Sequence, residues 1–211
     1  MAVLLPTILL AEVNGLYFAF LSEIGLLAFW AVDVVQWVLL PALFLWLLAR
    51  RGDIRPAQYG LEWPVARPRA LMLGTLAVLA TSGPAFFLTH DLIWEWQGQP
   101  TGLFDYPGMF PDGLAGTIIW IYSSLTAGIV ESIFYIGLPW LLLASLRPDG
   151  SRLVLVLALS AVFASVHWEQ GSATLIGAFC SQAVAWFWYF RLRSLWPLVG
   201  AHVIIDLIAF W

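Results

Sequence analysis

Charge is scarce in this chain. Of its 211 residues only 10% are charged and 62% are hydrophobic, and the mean hydropathy is +0.88. Soluble domains are about half apolar and about a quarter charged. Too few polar side chains are present to cover a globule of this size. Disorder is excluded too, because 16% aromatic residues do not stay solvated. Lysine is missing altogether, and all nine basic residues are arginine. With 13 acids the formal net charge is -4, which argues against a nucleic-acid partner. A single cysteine, Cys180, allows no internal disulfide and no cysteine-based zinc or iron–sulfur site. The N-terminus lacks a signal-peptide pattern: no basic residue precedes the first apolar run and no Ala-x-Ala site follows it.

What is present is long apolar sequence. At about 20 residues per membrane-spanning helix the chain allows about six to eight spans and almost no soluble domain. The apolar stretches are continuous, not alternating, so the expected class is all-α and not a β-barrel.

The arginines fall in three clusters: Arg50, Arg51, Arg55, Arg67 and Arg69; Arg147 and Arg152; Arg191 and Arg193. The positive-inside rule places all three on the cytoplasmic side. Each pair of clusters then needs an even number of crossings between them. Residues 70–89 and about 114–146 supply the first pair, joined by a loop from His90 to Gly113 that holds Asp91, Glu95, Asp105 and Asp112 and no basic residue. Residues 153–168 and 173–190 supply the second, with a turn near Glu169-Gln170-Gly171 and Glu169 expected as a solvated turn residue. Residues 195–211 run outward. Trp94, Trp96, Trp120, Trp140, Trp168 and Trp196 sit near the expected span ends, as an aromatic belt would.

The first 49 residues suit two spans with a turn at Ser22-Glu23-Ile24-Gly25, which gives about seven spans in total. A break at Asn14-Gly15 is the alternative and gives one long helix. Residues 51–69, with Pro56, Pro64 and Pro68, read as a cytoplasmic linker. The expected organisation is one integral membrane domain over 1–211: N-terminal spans in 1–50, the linker in 51–69, and a catalytic core in about 110–211.

Ionisable groups inside such spans cost several kcal/mol and are functional candidates by default. Glu131, His167, His202 and Asp206 stand out, while the depths of Glu12 and Asp33 depend on the N-terminal turn. At ~1.5 Å per residue, Glu131 lies roughly 24 Å from Arg147 and His167 roughly 22 Å from Arg152. Asp206 and His202 lie roughly 20 and 14 Å from Arg193. Three expected helices thus bring acids and imidazoles to similar depth. His202 and Asp206 are i,i+4 and share a helix face, as do Phe163 and His167. Ser124, Gly128, Glu131 and Tyr135 make a stripe of small and polar residues, which faces protein or water and lets helices approach closely.

A carboxylate with a nearby His can activate water, and a second His can donate to an oxyanion. That set suffices for amide hydrolysis without a cofactor. The sequence has no Gly-x-Ser-x-Gly and no His-Glu-x-x-His. Two His and two carboxylates could instead hold zinc, the second reading of the same residues. Structural helix–helix hydrogen bonds are the bland reading of either His alone.

These residues also carry a resemblance. Glu131-Ser132-Ile133-Phe134-Tyr135-Ile136-Gly137 resembles the first motif of the CPBP family (CAAX protease and bacteriocin-processing), usually Glu-Glu-x-x-x-Arg-Gly. Phe163-Ala164-Ser165-Val166-His167 is similar to its Phe-x-x-x-His motif. His202-Val203-Ile204-Ile205-Asp206 is similar to its His-x-x-x-Asn/Asp motif, here behind Ser194-Leu195-Trp196-Pro197. Tyr59-Gly60-Leu61 also looks like a family feature. The resemblance spans roughly residues 55–211. It implies a polytopic helix bundle with an intramembrane catalytic cavity and a glutamic-type endopeptidase. Glu131 would be the general base on water, His167 its partner, and His202 with Asp206 the oxyanion-stabilising pair. Ser132, Tyr135, Phe163 and Gln182 are the expected cavity-lining residues.

Two departures stand out: Ser132 replaces the usual second Glu and Ile136 the usual Arg. Losing both leaves no orphan charge in a low-dielectric site. The expected partners are the lipid bilayer and a protein or peptide substrate, in a bacterial or archaeal cytoplasmic membrane. A catalytically inactive relative, acting as a membrane-embedded binding or immunity protein, is the alternative. A proton-relay transporter is a third reading, opposed by the lack of an inverted repeat.

Overall fold

A computed structural model describes residues 25–52, 54–62, 67–99, 110–144 and 150–210. All regular elements among them are helical. The chain starts with α1 (Leu26–Val34), a π turn (Val35–Leu39) and α2 (Leu40–Arg51). A 3-10 turn (Pro56–Tyr59) leads to α3 (Pro68–Trp96). Then come α4 (Leu114–Ser132), a second π turn (Ile133–Gly137) and α5 (Leu138–Ala144). The C-terminal part holds α6 (Gly150–Ser165), a 3-10 turn (Trp168–Gln170), α7 (Ser172–Leu192) and α8 (Trp196–Ala209).

Both π turns stand immediately before a Leu-Pro pair, Leu40-Pro41 and Leu138-Pro139. A proline inside a helix has no N–H to give and its ring crowds the carbonyl four residues earlier. The wider π turn accommodates that crowding without ending the helix. The chain therefore continues through Leu27–Arg51 and through Leu114–Ala144 as two long apolar rods.

Four stretches are long and apolar enough to cross a bilayer: Leu27–Arg51, Pro68–Trp96, Leu114–Ala144 and Ser172–Leu192. The expected count of about seven is thus not met among the described residues. Two of the expected spans form shorter helices: α6 has 16 residues and α8 has 14. At ~1.5 Å per residue neither reaches the ~30 Å of a hydrocarbon core. In α6 the helix stops at Ser165, because the chain turns at Val166-His167. The expected outer loop also starts later than expected. α3 runs on through His90 to Trp96 and is followed by Gly98, whose φ of +76° glycine adopts without strain. The candidate turns at Ser22–Ile24 and Asn14-Gly15, with Glu12, Asp105 and Arg147, lie outside the described residues.

The polarity of the bundle is inverted relative to a soluble protein. On α4 the outward face carries exposed Ile118, Ile121, Leu125 and Ile129, while Ser124, Gly128 and Glu131 point inward and are buried. α3 packs most extensively on α7, and α8 packs against both α3 and α4. Small residues sit at the crossings. A Cβ on Gly128 would stand 2.6 Å from Val203 Cγ2 and 2.9 Å from the Val203 backbone nitrogen. Glycine there lets α4 and α8 touch backbone to side chain. Ser124, Gly128, Glu131 and Tyr135 are all buried, as a stripe facing protein implied, and Gly128 and Glu131 meet α8.

The basic ends of several helices gather at one end of the bundle. Arg193 lies 4.0 Å over the Trp140 ring and Arg152 lies 5.9 Å from it. Tyr59 anchors the linker there. It is buried against the wall at Gly137, and the neighbouring Gly60 carbonyl accepts the Leu195 N–H at 2.8 Å. Burial pushes the Tyr59 phenol up from its ordinary value of 10.0, so it stays neutral.

Candidate active site

The buried faces of α4 and α8 meet around a cavity of about 130 Å³. Its wall includes Glu131, His167, His202 and Asp206, together with Ser132, Phe163 and Gln182. Residues from three separate parts of the chain therefore share one space.

Glu131 comes from the last turn of α4 and is 7% exposed. Its Oε2 stands 3.4 Å from Nε2 of His202. The same Nε2 stands 3.7 Å from Asp206 Oδ1, one turn further along α8. One imidazole nitrogen is thus held between two carboxylates. Both separations exceed an ordinary N–H···O bond of about 2.9–3.0 Å. Both carboxylates stand within ion-pair distance of that nitrogen but beyond ordinary hydrogen-bond length. The i,i+4 spacing put Asp206 beside His202, as the sequence implied.

His167 does not lie on a helix, contrary to expectation. It occupies the turn after α6, where its backbone N–H bonds to the Ala164 carbonyl at 3.0 Å. Its Nδ1 faces the Phe163 carbonyl at 3.1 Å, one of the carbonyls the end of α6 leaves without a helical donor. A carbonyl only accepts, so Nδ1 carries the proton and Nε2 keeps its lone pair. Phe163 also sets the rings. Its centroid lies 5.2 Å from Tyr135, 5.0 Å from His167 and 6.0 Å from His202, each edge to face. The Phe-x-x-x-His spacing therefore supplies one backbone acceptor and one aromatic wedge from a single residue.

Tyr135 does not line the cavity. It is 4% exposed, packed under Phe163. Its carbonyl accepts from Gln182 Nε2 at 3.3 Å. Ser132 and Ile136, where a Glu and an Arg were usual, are both buried and both in the wall.

Sequence reasoning missed two contributions. Glu169, expected in solvent, is 2% exposed in the 3-10 turn after His167. No periodicity marks it, because the turn is only three residues long. The other is α1 with the π turn after it: Trp30 and Asp33 of α1 and Trp37 of the turn line the same cavity. Asp33 in an apolar run was the signal for it. Among the described residues no group of three or more His, Cys, Asp or Glu converges as a metal site.

Residues 113–208 match the family model described as Type II CAAX prenyl endopeptidase Rce1-like. Over this stretch, a little under half of the chain, the protein is similar to that family, a branch of the CPBP proteases. Neither the curated proteins nor the solved structures give a match. That family consists of membrane proteases, and the four helices here that are long and apolar enough to cross a bilayer are in keeping with the match. The matched segment holds Glu131, His167, Glu169, His202 and Asp206. The walls that α1 and α3 contribute lie outside it.

Proposed function

We propose that this chain is a glutamic-type intramembrane endopeptidase, hydrolysing a peptide bond in or near the bilayer. The observation that carries the reading is the meeting of Glu131, His167, His202 and Asp206 on one buried cavity, each from a stretch that resembles a CPBP motif. A carboxylate, an imidazole with a free lone pair and an imidazole held between two acids are the parts that water-mediated amide hydrolysis requires.

In this scheme a water bound beside Glu131 and His167 Nε2 loses a proton to the Glu131 carboxylate. Its oxygen adds to the substrate carbonyl carbon, and the carbonyl oxygen becomes an oxyanion. The Nε2–H of His202, shared between Glu131 and Asp206 in the free site, turns to the oxyanion. Asp206 keeps that imidazole oriented and stabilises its charged form. The proton on Glu131 then passes to the leaving nitrogen as the C–N bond breaks. No metal enters the scheme. Stoichiometric zinc in the purified protein, lost on His167→Ala, would replace it with a metal-assisted one.

The arginine-bearing ends face the cytoplasm in this reading, with the chain in a bacterial or archaeal cytoplasmic membrane. Ser132 and Ile136 favour the second reading, an inactive CPBP-like binding or immunity protein. Comparing membrane and secreted proteomes from cells with the wild type and with Glu131→Ala separates the two. A protease leaves at least one protein uncleaved in the variant, and a binder leaves the fragment pattern unchanged.

A further inference from the structure

The far end of the cavity is built differently from the end that holds Glu131. Along α8 the wall runs from His202 through Asp206 to Phe210, and along α4 it runs back from Glu131 through Ala127 to Ser123. There α1 closes the space. Trp30 stacks on Phe110 at 6.3 Å and meets the Tyr122 ring edge-on at 6.4 Å, and Phe110 lies 6.3 Å from Phe210. Among these rings stands Asp33, 8% exposed, whose Oδ2 accepts the Tyr122 hydroxyl at 2.9 Å. The wall of the whole cavity carries three carboxylates, Asp33, Glu131 and Asp206, and no arginine among the described residues. Two further polar groups on the wall point to an absent ligand. Ser82 Oγ, on a residue 2% exposed, and Asp206 Oδ2, on a residue 8% exposed, have no hydrogen-bond partner among the described residues.

Aromatic faces attract cations through their quadrupole, and a carboxylate among them adds full charge attraction in a low-dielectric space. A neutral or anionic group gains neither. We propose that Asp33, with Trp30, Phe110 and Phe210 around it, forms a subsite for a basic side chain of the substrate, a guanidinium or an ammonium group. Ser123 lies two helical turns from Glu131, roughly 12 Å. An extended peptide covers about 3.3 Å per residue. The recognised basic residue therefore stands about three or four residues from the bond that Glu131 addresses. α1 lies outside the segment that the family model matches, so the match implies nothing about this subsite.

The substrate assignment rests on the protease reading, but the subsite is tested without catalysis. Butylguanidinium and its neutral isostere butylurea are titrated into the full-length protein in nanodiscs, with tryptophan fluorescence as the readout. The wild type should bind the guanidinium at least tenfold more tightly. Asp33→Asn, which keeps an acceptor for Tyr122, should bring the two ligands to parity, and Tyr122→Phe should weaken the preference. Glu131→Gln should retain the preference, so loss of the protease reading and loss of this one are told apart. Parity in the wild type, absence of binding included, overturns the subsite. A preference that survives Asp33→Asn and vanishes with Asp206→Asn overturns it as well.

Discussion

The Gln182 side chain, on α7, donates from Nε2 to the Tyr135 carbonyl oxygen in the π turn behind α4. Pro139, four residues later, has no N–H for that carbonyl. A buried amide on a neighbouring helix thus covers an acceptor that the proline exposes. The turn it steadies begins one residue after Ser132 and two after Glu131.

Gln182→Leu should therefore cost stability, although leucine fits a buried position. The bond to the Tyr135 carbonyl is lost, and one such bond contributes about 0.5–1.5 kcal/mol. Thermal unfolding in detergent should show a lowered midpoint for Gln182→Leu and a near-normal one for Gln182→Asn paired with added bulk at a neighbouring position. An unchanged midpoint for Gln182→Leu would mean that the π turn holds itself.

Gly128→Leu should disrupt the contact between α4 and α8. Even a Cβ meets Val203 at 2.6 Å, so a full side chain must push the helices apart. Overpacking of this kind costs about 1–3 kcal/mol, and it separates Glu131 from His202 as well. Val203→Ala should rescue Gly128→Ala only in part, because the Val203 backbone nitrogen lies at 2.9 Å and stays in place. Full rescue would show that the side chain alone sets the approach.

Phe163→Leu should leave the fold intact and loosen both imidazoles. Aromatic pairs add about 0.5–1.5 kcal/mol beyond burial, and three are lost together. The expected outcome is a modest fall in melting temperature and a fall in kcat of ten-fold or more, with KM little changed. Equal losses in stability and activity would make Phe163 a packing residue only.

Trp140→Leu should unfasten the basic end of the bundle. Trp140 faces Arg193 at 4.0 Å, and cation–π contacts contribute about 0.5–2 kcal/mol. Arg193 also holds a left-handed conformation, φ +53°, at the end of α7. Arg193→Gly relieves that strain while losing the contact, so it should destabilise less than Trp140→Leu does. The opposite order would show that the backbone conformation costs nothing.

The helical class and the inward stripe on α4 were legible from composition and spacing, since lipid exposure and close approach each leave a mark on every third or fourth residue. His202 beside Asp206 was legible for the same reason. The span lengths were not, because hydropathy sees apolar sequence and not the turn at Val166-His167 that cuts α6 short. Glu169 was hidden by its position in a three-residue turn, where burial depends on how the turn docks. The contribution of α1 was hidden because Trp30 and Asp33 reach the cavity only through long-range packing.

The most direct test of the account is the rate at which purified Glu131→Gln cleaves a substrate identified from the proteome comparison. Glutamine keeps the shape of the side chain and its place against His202, and it removes only the base. The account predicts a well-folded protein with cleavage reduced at least a thousand-fold, while His202→Gln retains more activity than Glu131→Gln. Full cleavage by a folded Glu131→Gln would contradict it.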